Sequence, residues 1–189
     1  MEKSLPFFQE SLQTALAIYP DTHPNVAAVY GNIGGLYWGL ERYEDAEPYL
    51  RRSLEIREAT LPAGHPEIGS ALSNLGEVES MVGNYATADS LFLAAEKIFL
   101  SHEVDEVLLA NPLLGRALLY HRMGRLEDSE ALFLQVLDIR TRQLGPESPY
   151  VAEVLREYGD LLRDLGRETE ADDAVARAID IEQVIAGPR

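Results

Sequence analysis

Apolar residues recur along this chain at three- and four-residue steps, and no window alternates convincingly with period two. After His23, the residues Val26, Tyr30, Ile33, Gly34 and Tyr37 fall on one face of a helix. After Arg42, the same spacing returns in Tyr43, Ala46, Leu50, Ser53, Leu54 and Arg57. The pattern predicts helices over 4–18, 25–39, 43–59, 67–82, 85–101, 105–122, 126–143, 148–164 and 168–185, and no strands. Thr22 or His23, followed by Pro24, supplies a helix start, because proline suits the first turn.

The pattern is also periodic on a longer scale. HPNVAAVYGNIGGLYW begins at His23, and HPEIGSALSNLGEVES begins 42 residues on, at His65. RYEDAEPYLRRSLEI from Arg42 is answered by NYATADSLFLAAEKI from Asn84, again 42 on. GRLEDSEALFLQVLDIR from Gly124 stands 41 after Gly83, and GRETEADDAVARAIDI from Gly166 follows 42 later. Stepping back 42 from Pro48, Ser53, Leu54 and Pro62 reaches Pro6, Ser11, Leu12 and Pro20. Such self-similarity signals stacked helical repeats. The expected units are 1–22 (the second helix of a repeat whose first helix is missing), then 23–64, 65–105, 106–147 and 148–189. On this reading the chain is cut from a longer array.

Small residues mark where helix axes should approach closely. Gly34, Gly76, Ala117 and Gly159 share one place in the first helices, and Ala46, Ala88, Ser129 and Ala171 share one in the second helices. Bulky neighbours such as Tyr37, Phe92 and Phe133 would fill the flanking space. The third repeat departs from the others. It lacks the His-Pro pair, carries Pro112 within its first helix, and has Arg116 where the others have Ile33, Leu75 and Tyr158. A kink at Pro112 is expected there.

Composition narrows the function. Acidic residues outnumber basic ones 32 to 16, a net charge of −16, which opposes binding to nucleic-acid phosphates. Cysteine is absent, which excludes disulfides, thiolate metal sites and a cysteine nucleophile. The longest apolar runs are a few residues, too short to span a membrane. The start, MEKSLPFFQE, lacks the cationic and apolar segments of a signal peptide, so a soluble cytoplasmic protein is predicted. No HExxH, nucleophile elbow, phosphate loop or dinucleotide turn is present, and His23 and His65 stand a full repeat apart. The reading is therefore of a protein that is not an enzyme, with no cofactor and no bound metal.

The repeating unit HPxVAxxxxNLxxLYxxxGRYEEAEPLYxRALEIRExxLP resembles the 42-residue tetratricopeptide repeats of kinesin light chains and of many bacterial signalling proteins, over residues 4 to about 185. The resemblance implies an all-α solenoid, a right-handed superhelix of antiparallel helix pairs, with first helices lining a concave groove that holds a peptide or protein partner. It places Ala28, Gly31, Asn32 and Gly35 on the inner face of the first full repeat, and Ser70, Ser73, Asn74 and Glu77 on that of the second. In the third these are Asn111, Leu114, Gly115 and Leu118, with His121 one turn on; in the fourth, Glu153, Arg156, Glu157 and Asp160, with Arg163 beyond.

Asn32 and Asn74 are the foremost predicted contacts, since an amide both donates to and accepts from a peptide backbone. Gly35, Trp38, Ser73, Glu77, Leu118, His121 and Arg156 complete the predicted peptide-binding set. Tyr37 at helical spacing reads as core, while Trp38 and Met81 are rim contacts. No basic residue occupies a groove position in the first two full repeats, which argues against a clamp for a carboxylate and for a partner segment with apolar or basic side chains. The alternative is self-assembly through the ends, where Leu5, Phe7, Phe8, Leu12 and Leu16, and Val175, Ala178, Ile179 and Val184, lack a covering helix.

Overall fold

The structure is a computed structural model that describes residues 5–101 and 106–187. Among these, nine helices form and no strand: α1 (Leu5–Ile18), α2 (Pro24–Gly39), α3 (Tyr43–Thr60), α4 (Pro66–Met81), α5 (Tyr85–Ser101), α6 (Glu106–Arg122), α7 (Leu126–Leu144), α8 (Pro149–Asp164) and α9 (Glu168–Ala186). Every boundary lies within a residue of the one expected from the apolar spacing. His102 lies outside the described residues.

The chain divides into two compact units, Met1–Val104 and Asp105–Arg189. In the first, α2 packs on α3, α3 on α4, and α4 on α5, with α1 against α2. In the second, α6 packs on α7, α7 on α8, and α8 on α9. Each unit is an all-α stack of helix pairs joined by short turns, and short turns make neighbouring helices antiparallel.

The His-Pro pair acts as a cap. His23 Nδ1 accepts the amide hydrogen of Asn25 at 3.1 Å, and His65 Nδ1 accepts that of Glu67 at 3.2 Å. Ser148 does the same for Tyr150 at 3.3 Å. Pro24, Pro66 and Pro149 follow at the first helical position, where the missing N–H would have had no partner.

Axis approach follows the small residues. A Cβ at Gly34 would meet Leu50 at 2.5 Å, one at Gly76 would meet Phe92 at 2.9 Å, and one at Gly159 would meet Val175 at 2.7 Å. Opposite them, Ala46, Ala88, Ser129 and Ala171 are fully buried. Between paired helices the chain turns through left-handed backbone. Gly83, Gly124 and Gly166 serve there with φ of 87°, 72° and 74°, but the first full repeat uses Glu41 with φ 58°.

In the third repeat α6 runs unbroken through Pro112, which is buried. Proline removes only the single bond its own amide would have made to the preceding turn. Arg116 is half-buried rather than a core residue. It donates to the Tyr120 hydroxyl at 2.7 Å, with its guanidinium carbon 5.2 Å from that ring's centroid.

Of the end residues, Phe7 and Leu16 on α1 and Ile179 and Val184 on α9 are exposed, whereas Ala178 is buried in the core that α9 shares with α8. Ala178 is thus a packing residue and no part of an uncovered patch. No helix among the described residues is long and apolar enough to cross a membrane.

Candidate functional site

In the first unit α2 and α4 stand on either side of α3, and the space between them is a cleft of about 90 Å³. Gly31 of α2 forms one wall; Glu67, Ser70, Ala71 and Asn74 of α4 form the other; Leu50, Ser53 and Arg57 of α3 make the floor. The walls stay open because the facing residues are small. The Gly31 Cα leaves room where a Cβ would come within 3.2 Å of Ser53 Oγ.

Arg57 governs the chemistry of this cleft. Its Nη1 donates to the carbonyl oxygens of Ala27 and Ser53, each at 3.3 Å, and to the Ser53 hydroxyl. Ser53 in turn donates to Ala27 O at 2.7 Å, so α3 is tied to the backbone of α2. Arg57 Nε lies 3.5 Å from Glu67 Oε2, on a carboxylate that is itself 62% exposed. Only 17% of the arginine side chain meets solvent. Its charge near the C-terminal end of α3 is favourable to the helix dipole.

Of the residues expected on this surface, Asn74 lines the cleft, and Asn32 and Gly35 are exposed on α2. Neither asparagine amide bonds to another described residue. Glu77 is half-buried on α4. Ser73 differs from expectation: it is 3% exposed and its hydroxyl donates to Gly69 O at 3.0 Å, so it serves packing. Trp38 is 45% exposed, in keeping with a rim aromatic, and Met81 is exposed beside the same helix ends. Tyr37 is core: it is buried and stacks on Tyr49 with centroids 5.4 Å apart.

Arg57 was missed because the groove was sought on first helices only. One signal was available. Arg140 stands at the matching place of the second unit, 83 residues on, in the same Ile-Arg pair.

The second unit handles its arginine differently. Arg140 Nη1 donates to Tyr150 O and to Glu153, both at 2.9 Å, and its side chain is 6% exposed. Glu153 replaces Ser70, and buried Leu114 replaces Gly31. Arg156, an expected contact, is held by both oxygens of Glu182, at 2.8 and 2.5 Å. That pairing pulls the Glu182 carboxyl below the usual carboxylate range. His121 is half-buried with Nε2 2.7 Å from Asp164 Oδ2, and Leu118 is half-buried beside it on α6. No group of three or more histidines and carboxylates among the described residues is placed to hold a metal ion.

The sequence matches the family model for the tetratricopeptide repeat over residues 1–59, 40–101 and 108–183. No curated protein matches it. Among solved structures, BtubC (BKLC) from P. vanneervenii is similar at 17% identity and a TM-score of 0.77, over 100% of this chain and 75% of that one. Repeats of a kinesin-light-chain-type protein from P. anserina align at 18% identity and a TM-score of 0.74, over 96% and 86% of the two chains. The Rap conjugation gene regulator of plasmid pLS20, solved in complex with the Phr* peptide, aligns at 18% identity and 0.79; this chain covers 48% of it. At these identities the likeness is one of fold.

Proposed function

Since the chain belongs to the tetratricopeptide repeat family, we propose that it is a protein–protein interaction module of a bacterial scaffolding or signalling protein, and that α2 and α4 of the first unit hold an extended segment of its partner. The observation that carries this reading is the pair of exposed, unengaged amides. Asn32 on α2 and Asn74 on α4 each offer a donor and an acceptor to a peptide backbone beside an open cleft. A similar fold binding a peptide, the pLS20 regulator with Phr*, supports the class of ligand. The test is a peptide array followed by titration of the selected peptides against the full chain. Changing both Asn32 and Asn74 to Ala should weaken binding by about 0.5–1.5 kcal/mol per lost hydrogen bond, with an unchanged thermal unfolding curve. Binding at full strength in the double variant would remove these residues from the site.

A second reading is self-assembly through the outer helices. Phe7, Leu16 and Ile18 on α1, and Ile179, Val184 and Ile185 on α9, are exposed apolar side chains. With a net charge of −16 opposing it, such association should strengthen with salt, which screens repulsion and leaves apolar contact intact. Light scattering across a concentration series would reveal it.

A further inference from the structure

The two matching arginines, Arg57 and Arg140, differ in one respect that points to a ligand. Arg140 is saturated: a carbonyl and the Glu153 carboxylate share its Nη1, and 6% of its side chain is exposed. Arg57 has its Nη1 fully used on Ala27 and Ser53, while Nη2 makes no hydrogen bond to a described residue and lies against the open cleft. Its one acidic neighbour, Glu67, reaches Nε at 3.5 Å, longer than a formed charge-assisted bond, from an exposed position in the first turn of α4. A guanidinium that is mostly desolvated and only half paired is an anion site awaiting its second partner.

Resting on the peptide-binding reading above, we infer that the Arg57 cleft takes a carboxylate of the partner segment, with Glu67 as the chain's own placeholder for it. The volume, about 90 Å³, is that of about three waters at ~30 Å³ each. It admits one carboxylate with its adjoining carbon and little more. Planar Nε and Nη2 donate to the two oxygens as Glu67 swings outward, and the Asn74 amide stands on the adjacent wall as a further donor. Such a site stands where no basic residue of a first helix contributes, because the charge is delivered from α3 below. The second unit cannot duplicate it, since Glu153 already fills the equivalent role.

The full chain, labelled with ¹⁵N, would be titrated with two probes: N-acetyl-aspartate α-methylamide, which offers a side-chain carboxylate, and N-acetyl-alanine, which offers a terminal one. The Arg57 Nε–H signal should shift with one or both, while Arg140 stays still, and the stronger probe identifies the source. Acetamide should give no shift. Ser70→Glu, which copies the residue of the second unit onto an exposed position, should abolish the response, and Glu67→Gln should strengthen it by several-fold, on the order of the loss of one competing ion pair. An unmoved Arg57 signal, or an equal response in Ser70→Glu, overturns the inference. The asparagine reading is separate: array peptides that lose affinity in the Asn32, Asn74 double variant but not in Ser70→Glu would leave it standing while the carboxylate site falls.

Discussion

Asn84 donates its side-chain amide to the Glu79 carboxylate at 2.7 Å, in places that hold Tyr37 with Arg42 one repeat earlier and Tyr120 with Arg125 one repeat later. In those two repeats the arginine lies over the ring, its guanidinium carbon 4.8 Å and 3.9 Å from the centroids. One hinge of the repeat is thus built with two chemistries. Glu79 is 2% exposed, and Arg51 provides its second partner at 2.7 Å. Glu79→Tyr alone strands Arg51 and Asn84, and Asn84→Arg alone crowds a carboxylate already paired. Each single change should lower the urea midpoint. Together they recreate the neighbouring repeats, and the double variant should recover by a coupling of about 0.5–3 kcal/mol. Strict additivity would show the two places to be independent.

Two glycines on one helix should respond with opposite sign. An alanine Cβ at Gly34 would press on Leu50 at 2.5 Å, whereas nothing lies within 4 Å of one at Gly35. Gly34→Ala should destabilise by about 1–3 kcal/mol through overpacking. Gly35→Ala should be neutral or stabilising by up to about 1 kcal/mol, the helix-propensity difference. Thermal unfolding of the pair checks both.

Glu41 occupies left-handed backbone, φ 58°, where the later repeats use Gly83, Gly124 and Gly166. That conformation in a side-chain-bearing residue costs about 1–2 kcal/mol. Part of this is returned by the larger entropy of an unfolded glycine. Glu41→Gly should therefore raise stability by about 0.5–1 kcal/mol, read as an upward shift in urea midpoint. A fall in the midpoint would mean that the side chain makes a compensating contact.

Tyr158 provides a pH signature. Burial, and the hydrogen bond its hydroxyl donates to Glu130 at 2.9 Å, push its hydroxyl up to about 12. The unfolded chain releases this proton near the ordinary tyrosine value of ~10. The contribution is complete below that pH and disappears as pH climbs toward about 12. Denaturation at pH 9 and near pH 11.5 should show a fall in the native protein that is smaller in Tyr158→Phe. An identical fall in both would assign the alkaline sensitivity to other groups.

The helices were legible because their spacing is redundant: each repeat restates the same apolar stripe, so an error at Arg116 or Pro112 is outvoted by three other copies. Asn74 beside a cleft followed from the same register. Ser73 did not, because adjacent positions at the edge of a stripe differ by only 100° around a helix of 3.6 residues per turn, too little to separate wall from core. Arg57 escaped for another reason. Its backbone belongs to a second helix, and only the length of the side chain carries its charge into the cleft between two first helices. Periodicity records where a Cβ starts and is silent about where a long side chain ends.

Within each unit, helices touch their immediate neighbours in the chain, and beyond these only α2 meets α4 and α6 meets α8. No native contact in either unit therefore requires the ends of that unit to find one another. Loop-closure entropy stays small, and chains dominated by such local contacts fold in microseconds to milliseconds. A helix pair can form as soon as its own few dozen residues have emerged from the ribosome, each finished pair serving as the template on which the next one settles.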